Sequence, residues 1–206
     1  MTDYFSLLDE PRRPWVDPAP LKARFLARSA ELHPDRVHGG NEAEKAAATA
    51  QFAALNAAHN CLRDSKDRLA HLLELELGAK PRDVQRIPPG TSDLFVEVGQ
   101  VCRDTDAFLA ERARATAPML RAQLFARGLD WADKLTALQQ RIHARREELL
   151  AELRGLNPAW EAAPAIGAED RRGALPLERL EQLYRVLSYI SRWSEQLQER
   201  LVQLAL

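Results

Sequence analysis

The sequence predicts an all-α protein with two helical domains, and three observations lead to this prediction. Apolar residues recur every three or four positions along most of the 206 residues, as they do on one face of a helix. Alternating runs of β-branched residues, which are typical of strands, are almost absent. The stretch 81–91 contains IPPG, a stiff, non-helical joint. We therefore expect a domain over 1–80, a linker over 81–91 and a domain over 92–206.

Prolines define the ends of the first two predicted helices. An apolar stub over 3–9 is expected to form a helix that ends before Pro11. Asp17 followed by Pro18 predicts the start of the second helix, because an aspartate caps the first N–H groups and proline fits the first turn. This second helix must end before Pro34.

A third helix is predicted from Asn41, with Glu44 three residues later, to Gly78. Its many alanines allow close approach of a neighbouring helix, so we expect it to pair antiparallel with the second helix. The first domain is thus predicted to be an antiparallel helical hairpin with a short helix packed on it.

Prolines and glycines divide the second domain into its predicted helices. The boundaries are expected at Ser92, Pro118, Gly128, Asp130, Gly155 and Pro176. Gly128 is interpreted as the end of one helix, and Asp130 as the start of the next. A proline- and glycine-rich loop is expected over 155–174. Each helix has an apolar stripe that needs a partner, so we expect a three- to four-helix bundle.

Composition and charge restrict the possible functions. The formal net charge is −1 at pH 7, so we expect no broad attraction to nucleic acid or to anionic membrane. We see no targeting signal and no apolar stretch of transmembrane length, and we predict a cytoplasmic protein. Cys61 and Cys102 lack zinc-type spacing, so we expect neither a metal site nor a cofactor.

The tripeptide His33-Pro34-Asp35 follows the predicted second helix. One face of this helix carries the basic residues Lys22, Arg24 and Arg28. One interpretation is a tight loop in which Pro34 stops the helix and Asp35 forms a turn. A catalytic acid–base pair is a second interpretation, but no nucleophile motif, metal cluster or phosphate loop accompanies it. We therefore predict that the chain is not an enzyme and has no catalytic residue.

The order of short apolar helix, basic helix, HPD loop and alanine-rich helix resembles the J domain of DnaJ-type co-chaperones. The segments DYFSLL, FLARSAELHPDR, FAALNAAHNCLRD and RLAHLLEL carry this resemblance over about residues 3–78. It implies that the HPD loop stimulates ATP hydrolysis by a DnaK- or HscA-type chaperone of the heat shock protein 70 class. The implied docking residues are Lys22, Arg24, Arg28, His33, Pro34, Asp35 and Arg36.

An N-terminal J domain followed by a helical domain is similar to the HscB type of co-chaperone, which serves iron–sulfur cluster assembly. MTDYFSLL, RLAHLLELELG, SDLFVEV and SEQLQERL resemble segments of that family. The resemblance implies that the second domain binds an IscU-type scaffold. The implied contact residues are Leu94, Phe95, Val96, Glu97, Val98 and Val186. Gly99 and Arg103 depart from the family pattern, in which apolar and acidic residues are expected.

Three alternatives stay open for the second domain. Leu94, Phe95 and Val98 fit ordinary core packing as well as a contact surface, and Trp193 is expected to be a core or loop anchor. A second alternative is a specialised J protein that delivers a different client through this helical domain. The protein could also be a structural, oligomerising helical protein whose J-like domain has lost its partner.

Overall fold

The computed structural model describes residues 2–33, 41–81 and 90–206. Within these ranges the regular structure is α-helical and contains no strand, which confirms the all-α prediction. The helices are α1 (Tyr4–Leu7), α2 (Pro18–Glu31), α3 (Glu42–Arg63), α4 (Ser65–Leu77), α5 (Ser92–Arg114), α6 (Pro118–Glu161), α7 (Arg171–Ala174) and α8 (Leu177–Ala205).

Local capping explains where α2 and α3 begin. The side chain of Asp17 accepts a hydrogen bond from the backbone N–H of Ala19 at 3.0 Å, and Pro18 occupies the first turn. Asn41 and Glu44 form a capping box, each side chain accepting from the other residue's backbone N–H at 2.9 Å. Both predicted helix starts are therefore confirmed.

The predicted single helix from Asn41 to Gly78 is wrong, because the chain breaks at Asp64. This residue is extended (φ −81°, ψ 130°), and its side chain caps α4 by accepting from the N–H of Asp67 at 2.9 Å. Gly78 ends α4 in the left-handed conformation with φ 75°, as predicted. The regular apolar spacing concealed the break because it continues across Asp64 into α4.

The chain divides into two compact units that do not follow chain order. The first unit combines Met1–Arg82 with Leu150–Tyr184, and the second combines Asp83–Leu149 with Arg185–Leu206. The linker expected over 81–91 lies mostly outside the described residues, so the division into 1–80 and 92–206 stays a prediction. The sequence did not indicate that 150–184 joins the first unit.

In the first unit, α1 and α2 both pack on α3. Phe5 and Leu8 are fully buried, which explains how a four-residue helix is stable. Leu55 and Leu62 of α3 supply the opposing apolar surface.

The segment 150–184 is fastened to the rest of the first unit by polar contacts. The side chain of Asn157 accepts from the N–H of Trp15 at 3.0 Å and donates to its carbonyl at 2.9 Å. The guanidinium of Arg154 lies 4.1 Å from the centre of the Trp15 ring. Arg172 donates to the carbonyls of Glu76 and Leu77 at 2.8 Å, where α4 has no helical partners left.

In the second unit, α6 runs unbroken through Gly128, so the predicted stop at Gly128 and start at Asp130 are wrong. A Cβ at Gly128 would lie 3.8 Å from the Phe108 ring, so helix packing holds this position. Helix α6 also continues past Gly155 to Glu161, which shortens the loop predicted over 155–174. The core contains Val98, Phe108 and Leu124 among others.

Candidate functional site

The side chain of His33 stands exposed just beyond the end of α2. Its ring meets the ring of Phe52 on α3 edge-on, with the centroids 5.4 Å apart. The contact joins the start of the predicted loop to the partner helix of the hairpin. Pro34, Asp35 and Arg36, which complete the predicted loop, lie outside the described residues.

Lys22 and Arg28 lie on α2 but differ in their partners. The side chain of Lys22 is exposed, and it forms no ion pair within the described part of the chain. Arg28 pairs with Asp9, and this hydrogen bond raises the pKa of the guanidinium. Asp9 has φ 49°, which is uncommon for a residue other than glycine. The turn after α1 therefore places a carboxylate on the basic face of α2.

Arg24 has a structural partner that the sequence did not indicate. Its guanidinium pairs with Glu10, whose side chain is fully buried and also pairs with Arg13. A buried carboxylate without a cation is costly, so Arg24 stabilises the fold in addition to lying on the basic face. We call Lys22, Arg24, Arg28 and His33 the docking face.

A second surface is a groove between α5 and α8 in the second unit, with a volume of about 380 Å³. We call it the α5–α8 groove. Its lining residues are Phe95, Val96, Val98, Gly99, Arg103, Tyr189, Arg192, Trp193 and Gln196. The predicted contact residues therefore fall partly within it, and Leu94 and Glu97 are only partly exposed beside it.

Two of the predicted contact residues are buried. Val98 is 1% exposed and Val186 is 8% exposed, so both belong to the core of the second unit. Each offers a partner little area, because it is packed inside the bundle, and their assignment to a contact surface stays a prediction. Phe95 and Val96, in contrast, are 40% and 65% exposed.

Aromatic rings from α8 continue the exposed apolar surface of α5. Phe95 meets Tyr189 edge-on at a centroid distance of 6.5 Å, and Tyr189 lies 5.7 Å from Trp193. These three rings form an aromatic row. Trp193 is 3% exposed and holds the end of this row in the core, as predicted for a core residue. Tyr189 and Arg192 were not predicted, because only the pairing of α5 with α8 brings them near Phe95.

The charged side chains of the groove are arginines. Arg103 donates to the side-chain oxygen of Gln100 at 2.7 Å, and the guanidinium of Arg192 lies 5.7 Å from the centre of the Tyr189 ring. Glu97, a predicted contact residue, accepts from Arg141 at 2.5 Å. The carboxylate expected to face a partner is thus already paired.

Neither cysteine has the lowered thiol pKa of a reactive cysteine. Burial raises the pKa of the Cys61 thiol to about 11, so this thiol is protonated at neutral pH and is a poor nucleophile. Burial also raises the pKa of Cys102. Across the described ranges, no three His, Cys, Asp or Glu side chains are grouped as a metal site requires. No described helix has the length and apolarity of a membrane span.

Comparison with curated proteins finds a relative in the co-chaperone protein HscB homologue of Chromobacterium violaceum. The two sequences are 36% identical over 73 residues, which is 35% of this chain and 42% of that protein. The match thus spans less than half of the relative's length. No family model matches the chain.

Two solved structures share the fold over nearly the whole chain. The chaperone HscB from Vibrio cholerae has a TM-score of 0.65 at 21% identity, covering 98% of this chain and 99% of that one. Human co-chaperone protein HscB has a TM-score of 0.61 at 19% identity, covering 97% of this chain and 82% of that one. The curated relative and both solved structures are named HscB.

Proposed function

We propose that this chain, an HscB-type J-domain protein by its homology and its fold, is a non-catalytic co-chaperone for iron–sulfur cluster assembly. In this role it binds a DnaK- or HscA-type chaperone, stimulates that partner's ATP hydrolysis through His33-Pro34-Asp35, and delivers an IscU-type scaffold. The observation that carries the proposal is the HPD sequence immediately after the basic helix α2 of a helical hairpin.

The docking face has the physical properties that such a role needs. Positive charge on the exposed Lys22 and the partly exposed Arg28 accelerates encounter with an acidic surface, and each exposed pair contributes less than about 1 kcal/mol to binding. The resulting complex is weak and sensitive to salt, as a transient regulator requires. ATP is hydrolysed in the partner, so this chain needs no nucleophile of its own.

His33 begins the loop that the proposal assigns to the partner's activation. Its edge-on contact with Phe52 limits the positions available to the imidazole, and this order reduces the entropy lost on docking. We propose that His33, Pro34 and Asp35 act together in contacting the partner. Arg36 would extend the basic docking surface beyond the loop.

The decisive experiment measures single-turnover ATP hydrolysis by the cognate DnaK- and HscA-type chaperones with and without the full chain. Wild type is expected to accelerate hydrolysis, and His33→Gln is expected to abolish most of the acceleration. His143→Gln, which changes an exposed histidine of the second unit, serves as the matched control. Equal rates with and without wild-type protein would rule out the co-chaperone function.

The second part of the proposal, binding of the scaffold protein, concerns the α5–α8 groove. Phe95 and Val96 are exposed, and exposed apolar side chains above an aromatic row are suited to bind a partner. Adding the IscU-type scaffold to the ATPase assay is expected to raise the rate further, and Phe95→Ala is expected to diminish that rise. A Val202→Ala variant, which changes another exposed apolar residue, should leave it unchanged.

A second candidate function is delivery of a different client by the same J-domain mechanism. Arg103 in the groove favours it, because the family pattern has an acidic residue at that position, and the neighbouring carboxylate of Glu97 is already paired with Arg141. Acceleration of ATP hydrolysis without any binding of the scaffold would favour this candidate.

A further inference from the structure

Two arginines of the α5–α8 groove have no carboxylate partner among the residues that the structure describes. Arg103 and Arg192 are both exposed, and neither forms an ion pair within the described residues. Arg103 is held by the neutral side chain of Gln100, and Arg192 by the ring of Tyr189. Both guanidinium groups therefore keep hydrogen-bond donors and a full charge for another molecule.

The acidic residues on the same stretch of α5 are already engaged. Glu97 accepts from Arg141 at 2.5 Å, and Asp104 accepts from the side-chain amide of Gln100 at 2.8 Å. Neither carboxylate lines the groove. The groove is consequently positive although the whole chain has a formal net charge of −1.

Gly99 provides the space in which Arg103 lies. A Cβ built on Gly99 would be 3.4 Å from a terminal nitrogen of Arg103, so the guanidinium rests against the bare backbone of α5. A long apolar side chain at position 99 would occupy the groove and displace this cation. Position 99 thus determines whether the floor of the groove is apolar or charged.

We infer that the α5–α8 groove binds a segment of a partner protein in which a carboxylate side chain neighbours an apolar one. The carboxylate would meet Arg103 or Arg192, because a guanidinium binds carboxylate through two parallel hydrogen bonds. The apolar side chain would cover Phe95 and Val96 above the aromatic row. This inference rests on the proposed function only in naming the scaffold as the source of the segment.

A protein segment fits the groove better than a nucleic acid does. A nucleic-acid site needs a stripe of cations that neutralises several phosphates, whereas this groove of about 380 Å³ has two arginines. The paired Glu97 beside it would also repel a phosphate backbone. Two arginines around an apolar centre match one short acidic-apolar sequence.

The first experiment needs no scaffold and uses two 12-residue peptides as probes. Each has a central Phe, flanked in one peptide by four Glu and in the other by four Lys. Titration of the isotope-labelled full chain, followed by NMR, should shift the resonances of Gly99 and the Trp193 indole only with the Glu peptide. Equal shifts with both peptides, or none with either, would overturn the inference.

Charge reversal gives the second test. Arg103→Glu and Arg192→Glu should each weaken the Glu peptide about fivefold or more, and the double variant should prefer the Lys peptide. Arg114→Glu is the matched control, since it makes the same charge change on an exposed residue of α5. If Arg114→Glu weakened binding of the Glu peptide equally, the effect would be due to net charge and a specific site would be refuted.

Gly99→Leu tests the shape of the groove without altering charge. It should abolish the shift of the Trp193 indole while leaving the fold intact, because leucine is a better helix former than glycine. Gly155→Leu, at an open position of α6, should bind the peptide like wild type. Unchanged binding by Gly99→Leu would contradict the assignment of the site.

Measuring binding of the IscU-type scaffold distinguishes failure of this inference from failure of the proposed function. If the scaffold binds wild type but binds Arg103→Glu and Arg192→Glu equally well, the inference is wrong and the proposed client stands. If the scaffold does not bind while the Glu peptide does, the proposed client is wrong and the groove's preference stands. Weakened scaffold binding by both variants supports the two together.

Discussion

Arg171 forms a buried, bidentate ion pair with Glu76. Its Nε and one terminal nitrogen each donate to a different carboxylate oxygen at 2.8 Å, and the two side chains are 8% and 3% exposed. A third nitrogen donates to the carbonyl of Pro164 at 2.6 Å. The pair therefore ties α4 to the segment 150–184 of the first unit.

Removing one partner of this pair should be strongly destabilising. Arg171→Met leaves Glu76 buried without its main cation, which costs about 3–5 kcal/mol in the free energy of unfolding. The double variant Arg171→Met, Glu76→Leu should lose less than Arg171→Met alone. Urea unfolding followed by circular dichroism measures both. Arg179→Met is the control, because its pair with Glu152 is exposed and contributes less than about 1 kcal/mol.

Asp9 should restrain the docking face. Asp9→Asn removes the carboxylate that pairs with Arg28 and frees this cation for a partner. Under the proposed function, the chaperone should associate about two- to threefold faster at low salt, and the difference should vanish at high salt. Stopped-flow association measures this. Asp93→Asn, an exposed change on α5, should leave the rate unchanged. Slower association of Asp9→Asn would contradict a restraining role.

Loss of Arg24 should act mainly through stability. Arg24→Ala leaves the buried Glu10 with Arg13 as its remaining arginine partner, so the free energy of unfolding should fall by about 1–3 kcal/mol. Lys22→Ala, on the same helix, should change it by less than about 0.5 kcal/mol. Thermal melts of both variants test the difference, and equal melting temperatures would contradict it.

The first unit should lose stability in mild acid because of His71. Burial lowers the pKa of this histidine, and its neutral ring accepts a hydrogen bond from the N–H of Tyr4 at 3.1 Å. The unfolded chain binds the proton first, so stability falls as the pH drops below about 6.5. His71→Gln keeps an acceptor that does not titrate and should flatten the slope between pH 7 and pH 5. An unchanged slope in His71→Gln would contradict this prediction.

Two glycines should respond to alanine with opposite signs. Gly128→Ala should raise stability by about 0.5–1 kcal/mol, because position 128 is helical and the new methyl group would lie in ordinary contact with Phe108. Gly78→Ala should lower it by about 1 kcal/mol, since φ is 75° and a terminal nitrogen of Arg172 lies 3.3 Å from the new atom. Calorimetric melting temperatures compare them. Destabilisation by Gly128→Ala would argue against a continuous α6.

The starts of α2 and α3 were predictable because their signals are local. Asp17-Pro18 and Asn41 with Glu44 specify their caps within four residues, so the sequence alone indicated them. Gly128 misled the prediction because a glycine costs a helix only about 1 kcal/mol, and packing in the bundle outweighs that cost. The all-α class was predictable because the apolar periodicity extends over many residues, so one misread glycine does not change it.

The partners of charged and aromatic residues were not predictable. Arg24 looked like a docking residue, and nothing in its neighbourhood indicated the buried Glu10, which lies 14 positions earlier. Phe95 was identified as a contact residue, but Tyr189 and Arg192 come near it only once α8 packs against α5. Periodicity shows that a helix has an apolar face, and it does not show which helix covers that face.

The discontinuity of the first unit has a consequence for biosynthesis. A ribosome releases Met1–Arg82 before the chain has reached Leu150–Tyr184, and at roughly 5–20 residues per second the interval lasts several seconds. During this time Glu76 and the backbone of Trp15 have not yet met Arg171 and Asn157. The nascent protein therefore carries its HPD segment on an unfinished unit, and that unit is completed only after Leu150–Tyr184 has been synthesised.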